Sequence, residues 1–356
     1  MKKFFVMMLA FVLLIAGCGE QVETHTPKGK LVGVAMPNQT SQRWIQDGDY
    51  IKAKLEEKGY TVDLKYAEDD NDRQVKQIFA MIDKGASCLV IASIDSTKLL
   101  NILAKAKEKN IPVIAYDRLL MDTDSVSYYA TFDNKGVGIL IGRYIEDKLN
   151  LRNTNKTFNA EFFAGSPDDN NAYFFNEGIF EVLQPYIDNG KLQIPSGETD
   201  FNSIAIMRWL PENAYARMKN ILQNNYTNQK VDVIVSPFDG ISHGVINALQ
   251  EEGYTVGKDF PLITGQDADL KSIKYILSGE QSMTIFKDTR VLAEKCAAMV
   301  EAVLEGKAPE INDTISYDNH KIVVPSYLCQ PVIIDKTNID KELIESGYYT
   351  KEEVNN

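Results

Sequence analysis

The chain has 356 residues, of which 44% are hydrophobic and 25% are charged, and its formal net charge at pH 7 is −12. This composition is typical of a globular protein, and the acidic balance disfavours a nucleic-acid or anionic-membrane partner. Beyond the N-terminal region, roughly 325 residues remain, which is more than one hydrophobic core usually organises, so we expect two domains.

The N-terminal segment is typical of an export signal. Two lysines precede an uncharged apolar run, residues 4–15, which is too short to span a bilayer stably. The sequence LIAGC ends at Cys18 and resembles a bacterial lipobox, in which the cysteine is lipidated. We therefore expect residues 1–17 to be a signal peptide, Cys18 to carry a lipid anchor, and residues 18–30 to form a polar tether. An ordinary signal peptide that contains a cysteine is the alternative.

From Leu31 onward, short apolar strands alternate with amphipathic helices. The predicted strands are residues 31–36, 62–66, 88–92 and 112–116. One predicted helix covers residues 42–58, and the other two have inward faces formed by Val75, Ile78, Phe79 and Ile82 and by Leu99, Leu103 and Ala106. Continuously apolar strands joined by helices predict a parallel sheet with helices on both faces.

The same alternation restarts after about residue 134. The predicted strands are residues 158–164, 231–236, 261–264 and 281–286; the helices are 172–187, 241–252, 270–277 and 290–305; closing strands follow near Val323 and Val332. The helix 290–305 and the two closing strands are additional to the two similar lobes, so we expect the chain to cross between the lobes. We expect residues 31–133 with 288–325 to form one lobe, and residues 134–287 with 326–356 to form the other. The predicted fold class is therefore α/β, with two doubly wound parallel-sheet lobes joined by hinge strands around a ligand cleft.

Polar residues follow most of the predicted strands, at the edge of an open parallel sheet where ligands bind. They are residues 38–44 with Arg43 and Trp44, Asp117-Arg118, residues 166–171 with Asp169 and Asn171, Phe238-Asp239, Gln266-Asp267 and Lys287-Asp288. Most of these side chains can form two hydrogen bonds at once. The pattern predicts two polar edges that face each other across the cleft.

Eight sequence blocks occur in a characteristic order: PNQTSQRW, IAYDRL, SYYATFDN, GSPDDNNA, RWLPENA, SPFDG, TGQDADL and TIFKDTR. Over residues 32–349 they resemble the periplasmic multiple-sugar-binding and xylose-binding proteins, which are substrate-binding components of ABC sugar transporters. The resemblance implies the type I periplasmic binding protein fold, with three hinge strands. It also implies closure on one aldopentose or aldohexose, such as xylose, glucose, galactose or arabinose, and delivery to an ABC permease.

The matching blocks imply ligand contacts from both lobes. They are Arg43, Asp117 and Arg118 on one side, and Asp169, Asn171, Trp209, Asp267 and Lys287 on the other; Trp44, Phe238, Asp239 and Gln266 are further candidates. Charged groups would hydrogen-bond to sugar hydroxyls, and tryptophan would stack on the ring. For Trp44, a place in the core of its helix face is an equal alternative. Phe238 stands where xylose-type proteins more often have Asn, so we expect Phe238 to stack on the sugar.

We expect a monomeric binding protein that has no enzyme activity, no cofactor and no metal site. No GxSxG, P-loop or HExxH sequence occurs, and Cys88, Cys296 and Cys329 lack the spacing of a disulfide framework or a zinc site. Membrane contact would come only from the anchor. Two alternative hypotheses stay open: a sugar sensor whose loaded form docks on a sensor kinase or chemoreceptor, and a glycoside-processing enzyme with two carboxylates.

Overall fold

The structure is a computed structural model, and it describes residues 29–355. The expected signal peptide, Cys18 and nearly all of the tether lie outside the described residues. Within the described part of the chain, no helix is both long enough and apolar enough to cross a membrane.

Residues 29–133 form five parallel strands and three helices. The elements are β1 (Leu31–Met36), α1 (Gln42–Glu57), β2 (Thr61–Tyr66), α2 (Asn71–Asp83), β3 (Cys88–Ile91), α3 (Leu100–Glu108), β4 (Val113–Tyr116) and β5 (Tyr128–Phe132). The sequence predicted the first seven of these. It did not predict β5, because a loop instead of a helix connects this strand to β4, so the alternation of strands and helices gave no signal for it.

Residues 134–355 supply the remaining elements. They are α4 (Asn134–Lys148), β6 (Phe158–Phe162), α5 (Asn170–Asp188), β7 (Leu192–Gln193), α6 (Phe201–Ile204), α7 (Pro211–Asn225), β8 (Val233–Val235), α8 (Asp239–Glu251), β9 (Leu262–Ile263), α9 (Leu270–Ser278), β10 (Met283–Phe286), α10 (Thr289–Leu304), β11 (Ser326–Cys329), β12 (Val332–Asp335) and α11 (Lys351–Asn355). A 3-10 turn at Met207–Trp209 precedes α7, and a π-helical turn at Asp340–Ile344 follows β12.

The strands form two sheets, one in each lobe. The first sheet has six parallel strands in the order β11-β5-β4-β3-β1-β2. The second contains the parallel strands β7-β6-β8-β9, and a bridge between Gln266 and Ile285 joins it to the antiparallel pair β10-β12. Apolar clusters cover both faces of each sheet. This arrangement is the type I periplasmic binding protein fold that the sequence predicted.

The chain crosses between the lobes three times. The crossings are Asp133 between β5 and α4, Lys287-Asp288 between β10 and α10, and Gln330-Pro331 between β11 and β12. Asp133 and Asp288 also cap the helices that they precede. The boundary that we expected at residue 325 lies one strand later, because Ser326–Cys329 pairs with β5 and belongs to the first sheet.

One residue of the predicted inner faces, Phe79, does not enter the core. Its side chain is 42% exposed, and Lys105 Nζ lies 3.6 Å from the centre of its ring. The core face of α2 instead includes Ile78, Met81 and Ile82. The lysine therefore covers one face of an aromatic ring that lies outside the core.

Candidate functional site

A cavity of about 550 Å³ lies between the lobes, where the carboxyl ends of the two sheets face each other. Its volume is in the range of roughly 300–1,000 Å³ that is usual for small-molecule sites. All but one of the predicted site residues line it: Arg43, Trp44, Asp117, Arg118, Asp169, Asn171, Trp209, Phe238, Gln266, Asp267 and Lys287. The structure therefore brings side chains from distant parts of the sequence to one gap.

Asp239 is the exception: it is fully buried and does not line the cavity, so the geometry does not support its predicted contact with a ligand. One of its carboxylate oxygens accepts a hydrogen bond from Gln281 Nε2 at 2.8 Å, and the other accepts from Thr284 Oγ1 at 3.1 Å and from the Asp269 amide at 2.9 Å. Burial, followed by the nearby Asp269 carboxylate, raises the pKa of Asp239 well above its usual value. Because the first turn of α8 directs Asp239 into the interior of the lobe, it supports the loop before α9 and does not line the cavity.

Three carboxylates hold the guanidinium of Arg43, which lies in the first turn of α1. Its Nε is 3.2 Å from Asp47, one terminal nitrogen donates to Asp117, and the other is 3.5 Å from Asp267. Asp47 and Asp117 belong to the first lobe, and Asp267 belongs to the second. Burial alone would lower the pKa of Arg43, but the three carboxylates raise it well above its usual value.

Two further ion pairs lie beside this group. Lys287 Nζ is 2.9 Å from Asp267 Oδ1, and Arg118 Nε is 3.1 Å from Asp169 Oδ2. Burial would raise the pKa of Asp117, yet Arg43, Lys287 and Arg118 hold it below its usual value, so this carboxylate is ionised. Cations and carboxylates therefore alternate across the cleft, and this pairing leaves little net charge against a neutral ligand.

Backbone geometry presents the two central carboxylates at the sheet edges. Asp117 directly follows β4 and has a φ of 57°, and Asp267 has a φ of 94°. The Asp117 amide donates to the Ala130 carbonyl, and the Asp267 amide donates to the Ile285 carbonyl, each at 2.8 Å. These bonds to the neighbouring strands hold a left-handed conformation that Asp tolerates better than most residues.

Aromatic side chains form the walls. Trp209 meets Phe175 and Phe238 edge to face, with ring centres 6.3 and 5.7 Å apart. Its backbone is left-handed, with a φ of 59°, which is unusual for a bulky residue. The indole lies against Gly165, where any Cβ would overlap the ring.

Trp44 lies among the side chains of the first lobe's core and also lines the cavity, so its place in the core is confirmed and its contact with a sugar stays a prediction. The guanidinium carbons of Arg43 and Arg118 are 4.9 and 5.2 Å from the centre of its ring. The tryptophan therefore packs against the two arginines of the first lobe and stabilises their charges.

Three buried polar atoms on the second lobe's side of the cavity have no hydrogen-bond partner among residues 29–355. One of them, Asp267 Oδ1, is compensated by its ion pair with Lys287, and the other two have no ion pair. These two are the indole Nε1 of Trp209 and the amide Oε1 of Gln266. Because buried polar atoms in native proteins are nearly always paired, one unpaired donor and one unpaired acceptor in the same cavity indicate a polar ligand.

The sequence did not single out several other residues of the cavity lining. They include Asn38, Asp69, Asp168, Phe175, Arg208, His243, Asp269 and Lys271. Arg208 Nη1 donates to the Asp69 carbonyl at 3.3 Å, and the Ser96 amide donates to the Asp168 carbonyl at 3.2 Å. Both bonds join the two lobes, so the structure is in a closed arrangement. Asn38 and Asp168 lie inside the matching blocks, whereas no sequence signal marked Asp69 or His243.

No group of three or more His, Cys, Asp or Glu side chains in the part of the chain that the structure describes is arranged to hold a metal ion. Cys88, Cys296 and Cys329 are buried as free thiols. Burial raises the pKa of Cys88 and of Cys329 to about 12, which makes them poor nucleophiles.

Comparison with known proteins agrees with this geometry. Residues 32–308 match the model of the periplasmic binding protein domain. The chain is 49% identical to the multiple sugar-binding periplasmic receptor of Rhizobium radiobacter, over 91% of this chain and 92% of that one. It is 34% identical to the D-xylose-binding periplasmic protein of Escherichia coli, over 94% of each chain.

A solved structure shows the same fold. It is an ABC transporter solute-binding protein from Clostridium phytofermentans with bound β-D-glucose, which superposes with a TM-score of 0.88 at 49% identity and covers 91% of this chain and 100% of that one. The chain therefore belongs to the periplasmic binding protein family, in the group that contains the multiple-sugar-binding and D-xylose-binding proteins.

Proposed function

We propose that this protein binds one monosaccharide between its lobes, without changing it chemically, and delivers it to an ABC transporter. The observation that carries the proposal is the convergence of three ion pairs and two tryptophans from both lobes on one cavity: Arg43–Asp117, Lys287–Asp267 and Arg118–Asp169, with Trp44 and Trp209. The names of the relatives, and the glucose bound in the solved structure, support the same ligand class.

The chemistry of a sugar ring fits these groups. A hydroxyl donates to a carboxylate and accepts from an arginine or lysine at the same time, and charge-assisted hydrogen bonds are the stronger kind. The C–H face of a pyranose suits an indole ring. The paired charges balance one another, so an uncharged ligand can replace water without leaving a buried ion unpaired.

Closure would follow rotation about the three crossing segments. The bonds from Arg208 to Asp69 and from Ser96 to Asp168 exist only when the lobes are together. A ligand that contacts both lobes stabilises this arrangement by its higher affinity for the closed form. The closed form then presents one composite surface to the permease.

Calorimetric titration with D-glucose, D-galactose, D-xylose and L-arabinose tests the binding function. We expect at least one of these sugars to bind with a stoichiometry of one. Failure of all four to bind would contradict the proposal. Chromatography of the recovered sugar should show it unchanged, and a product formed from an oligosaccharide would indicate an enzyme instead.

Transport can be separated from sensing in the source cell. Deletion of the gene should reduce uptake of the labelled sugar that binds best. Normal uptake with a lost transcriptional or chemotactic response to that sugar would instead favour the sensor hypothesis.

We also propose that the protein is held outside the cytoplasm by a lipid on Cys18, which lies outside the described residues. Family membership supports an extracytoplasmic location, and the LIAGC sequence supports the anchor. The Cys18→Ser variant should move from the membrane fraction to the soluble fraction. Cys88→Ala, which alters a buried thiol of β3, serves as the control and should stay with the membrane. Membrane retention of Cys18→Ser would contradict lipidation.

A further inference from the structure

Asp47 is a fully buried carboxylate that does not line the cavity. It lies one turn after Arg43 in α1, with its Oδ2 3.2 Å from Arg43 Nε. Its other oxygen accepts a hydrogen bond from the hydroxyl of Tyr116, which ends β4 directly before Asp117. Asp47 therefore ties the helix that carries Arg43 to the strand that positions Asp117.

We propose that Asp47 is a positioning residue for sugar binding, which orients the guanidinium of Arg43 towards the ligand and towards Asp267 without touching the ligand itself. This inference rests on the binding function proposed above. Asp47 is not among the ligand contacts that the matching sequence blocks imply, so the inference adds a residue to the proposed function.

The geometry of the guanidinium explains why one more carboxylate matters. The group is planar, so contacts to two different nitrogens fix its plane. Asp47 forms an ion pair with Nε, Asp117 accepts a hydrogen bond from one terminal nitrogen, and both acids belong to the first lobe. The remaining terminal nitrogen then faces Asp267 of the second lobe. Arg43 is thus oriented before the lobes close, so sugar binding costs less conformational entropy of this side chain.

The surroundings of Asp47 show that it depends on polar partners. Burial raises the pKa of its carboxyl to about 7, although Arg43 and the Tyr116 hydroxyl act in the opposite direction. A carboxylate that is wholly removed from water destabilises a protein unless partners compensate it. A role limited to packing would be better served by an apolar side chain of similar volume.

A double-mutant cycle tests the proposal. D-glucose is titrated calorimetrically into the wild type, Asp47→Asn, Arg43→Lys and the double variant. Lysine keeps the positive charge but has no Nε donor to face Asp47. We expect Asp47→Asn to weaken binding on the order of tenfold, because it removes the negative charge that is paired with Arg43 Nε, and residues in direct contact couple by about this much. In the Arg43→Lys background it should have almost no further effect. Independent, additive losses would overturn the proposal.

Deoxy sugars give a second readout that a merely structural role would not change. Removal of the hydroxyl that Arg43 contacts should cost the wild type much more affinity than it costs Arg43→Lys, and this difference identifies the hydroxyl. Asp47→Asn should reduce the cost of removing that same hydroxyl and leave the others unchanged. A uniform loss of affinity for every sugar in the series would instead assign Asp47 to general stability.

A matched control is Glu161→Gln. Glu161 is an equally buried acid in the second lobe, bonded by Ser196 and Tyr226, and it does not line the cavity. The Glu161→Gln variant should have a lower melting temperature than the wild type and the same sugar affinity. If Asp47→Asn does not fold, Tyr116→Phe takes its place, because it removes the hydroxyl that holds Asp47 but keeps the carboxylate.

The outcomes separate the two proposals. A wild type that binds none of the sugars overturns both the binding function and the role of Asp47. A wild type that binds, combined with wild-type affinity in Asp47→Asn or in its substitute Tyr116→Phe, overturns only the role of Asp47.

Discussion

Arg43 and Asp267 form an ion pair across the cleft, with 3.5 Å between Arg43 Nη1 and Asp267 Oδ2. Lys287 Nζ lies 2.9 Å from Oδ1 of the same carboxylate. One aspartate of the second lobe therefore meets a cation of the first lobe and a cation of a crossing segment. Closure of the cleft and neutralisation of the site depend on the same side chain.

Replacement of Asp267 by Asn should therefore weaken sugar binding severely. Lys287 is 2% exposed and would lose its ionised partner. Removal of one partner from a buried charge pair at an interface costs about 2–5 kcal/mol, so we expect a loss on the order of 100-fold. Calorimetry with the best-binding aldose measures it. Asp124→Asn, which alters an exposed pair with Lys107, is the control, and equal affinities in the two variants would contradict the prediction.

Arg118→Ala should abolish measurable binding and lower stability only modestly. Arg118 pairs with Asp169 across the cleft, and it also donates to the Ser93 and Ile94 carbonyls at 3.1 Å each. The variant leaves Asp169 buried without its cation, which disfavours closure. Calorimetry and thermal unfolding measure the two effects. Arg152→Ala, at an exposed arginine, should bind normally, and retained affinity in Arg118→Ala would exclude its proposed role.

Gly165→Ala should reduce affinity although it removes no group that could contact a ligand. An alanine Cβ would overlap the Trp209 indole, so the ring must move away from its place beside Phe238. We expect a weaker complex and a shift in tryptophan emission relative to the wild type. The control is Gly190→Ala, which strains a backbone with a φ of 76° but meets open space, so it should leave the emission spectrum and the affinity unchanged. An unchanged emission spectrum with unchanged affinity would show that the indole position does not matter.

Most of the site could be predicted because it follows a rule of the fold. Asp117 comes directly after β4, and Lys287 comes directly after β10, where parallel sheets place their ligands. Trp209 could be assigned only through the resemblance, since it lies in a turn that no periodicity predicts. Asp239 occupies an equivalent place after β8, yet Gln281 and Thr284 draw it into the interior.

The parts that could not be predicted depend on contacts between distant segments. β11 takes an edge place beside β5, which only the three-dimensional arrangement shows. Asp47 looks like any acid on the surface of a helix until β4 brings Tyr116 against it. Asp69 lines the cavity, and its carbonyl accepts a hydrogen bond from Arg208 of the other lobe, which no local pattern indicates. The sequence pattern reports which face of an element is apolar, but not which polar groups another element will supply.

The stability of the protein should fall in acid partly because of His243. Burial, and then the charge of Lys271, lowers the pKa of its imidazole from 6.5 to about 4, while its ring bonds to Ser272 at 2.8 Å. Well above pH 6.5 the imidazole is neutral in the folded and unfolded states and adds no pH dependence. Between pH 6.5 and 4 only the unfolded state takes up the proton, so the free energy of unfolding decreases as the pH falls.

Over this interval His243 should reduce the free energy of unfolding by at most about 3 kcal/mol. Urea unfolding of the wild type and of His243→Gln at pH 7, 6, 5 and 4.5 measures the effect. The variant should lose less stability than the wild type as the pH falls, because it has no imidazole to protonate in the unfolded state. His320→Gln controls for loss of an imidazole at an exposed position. Parallel pH profiles for the wild type and His243→Gln would show that the folded protein protonates His243 as readily as the unfolded chain does.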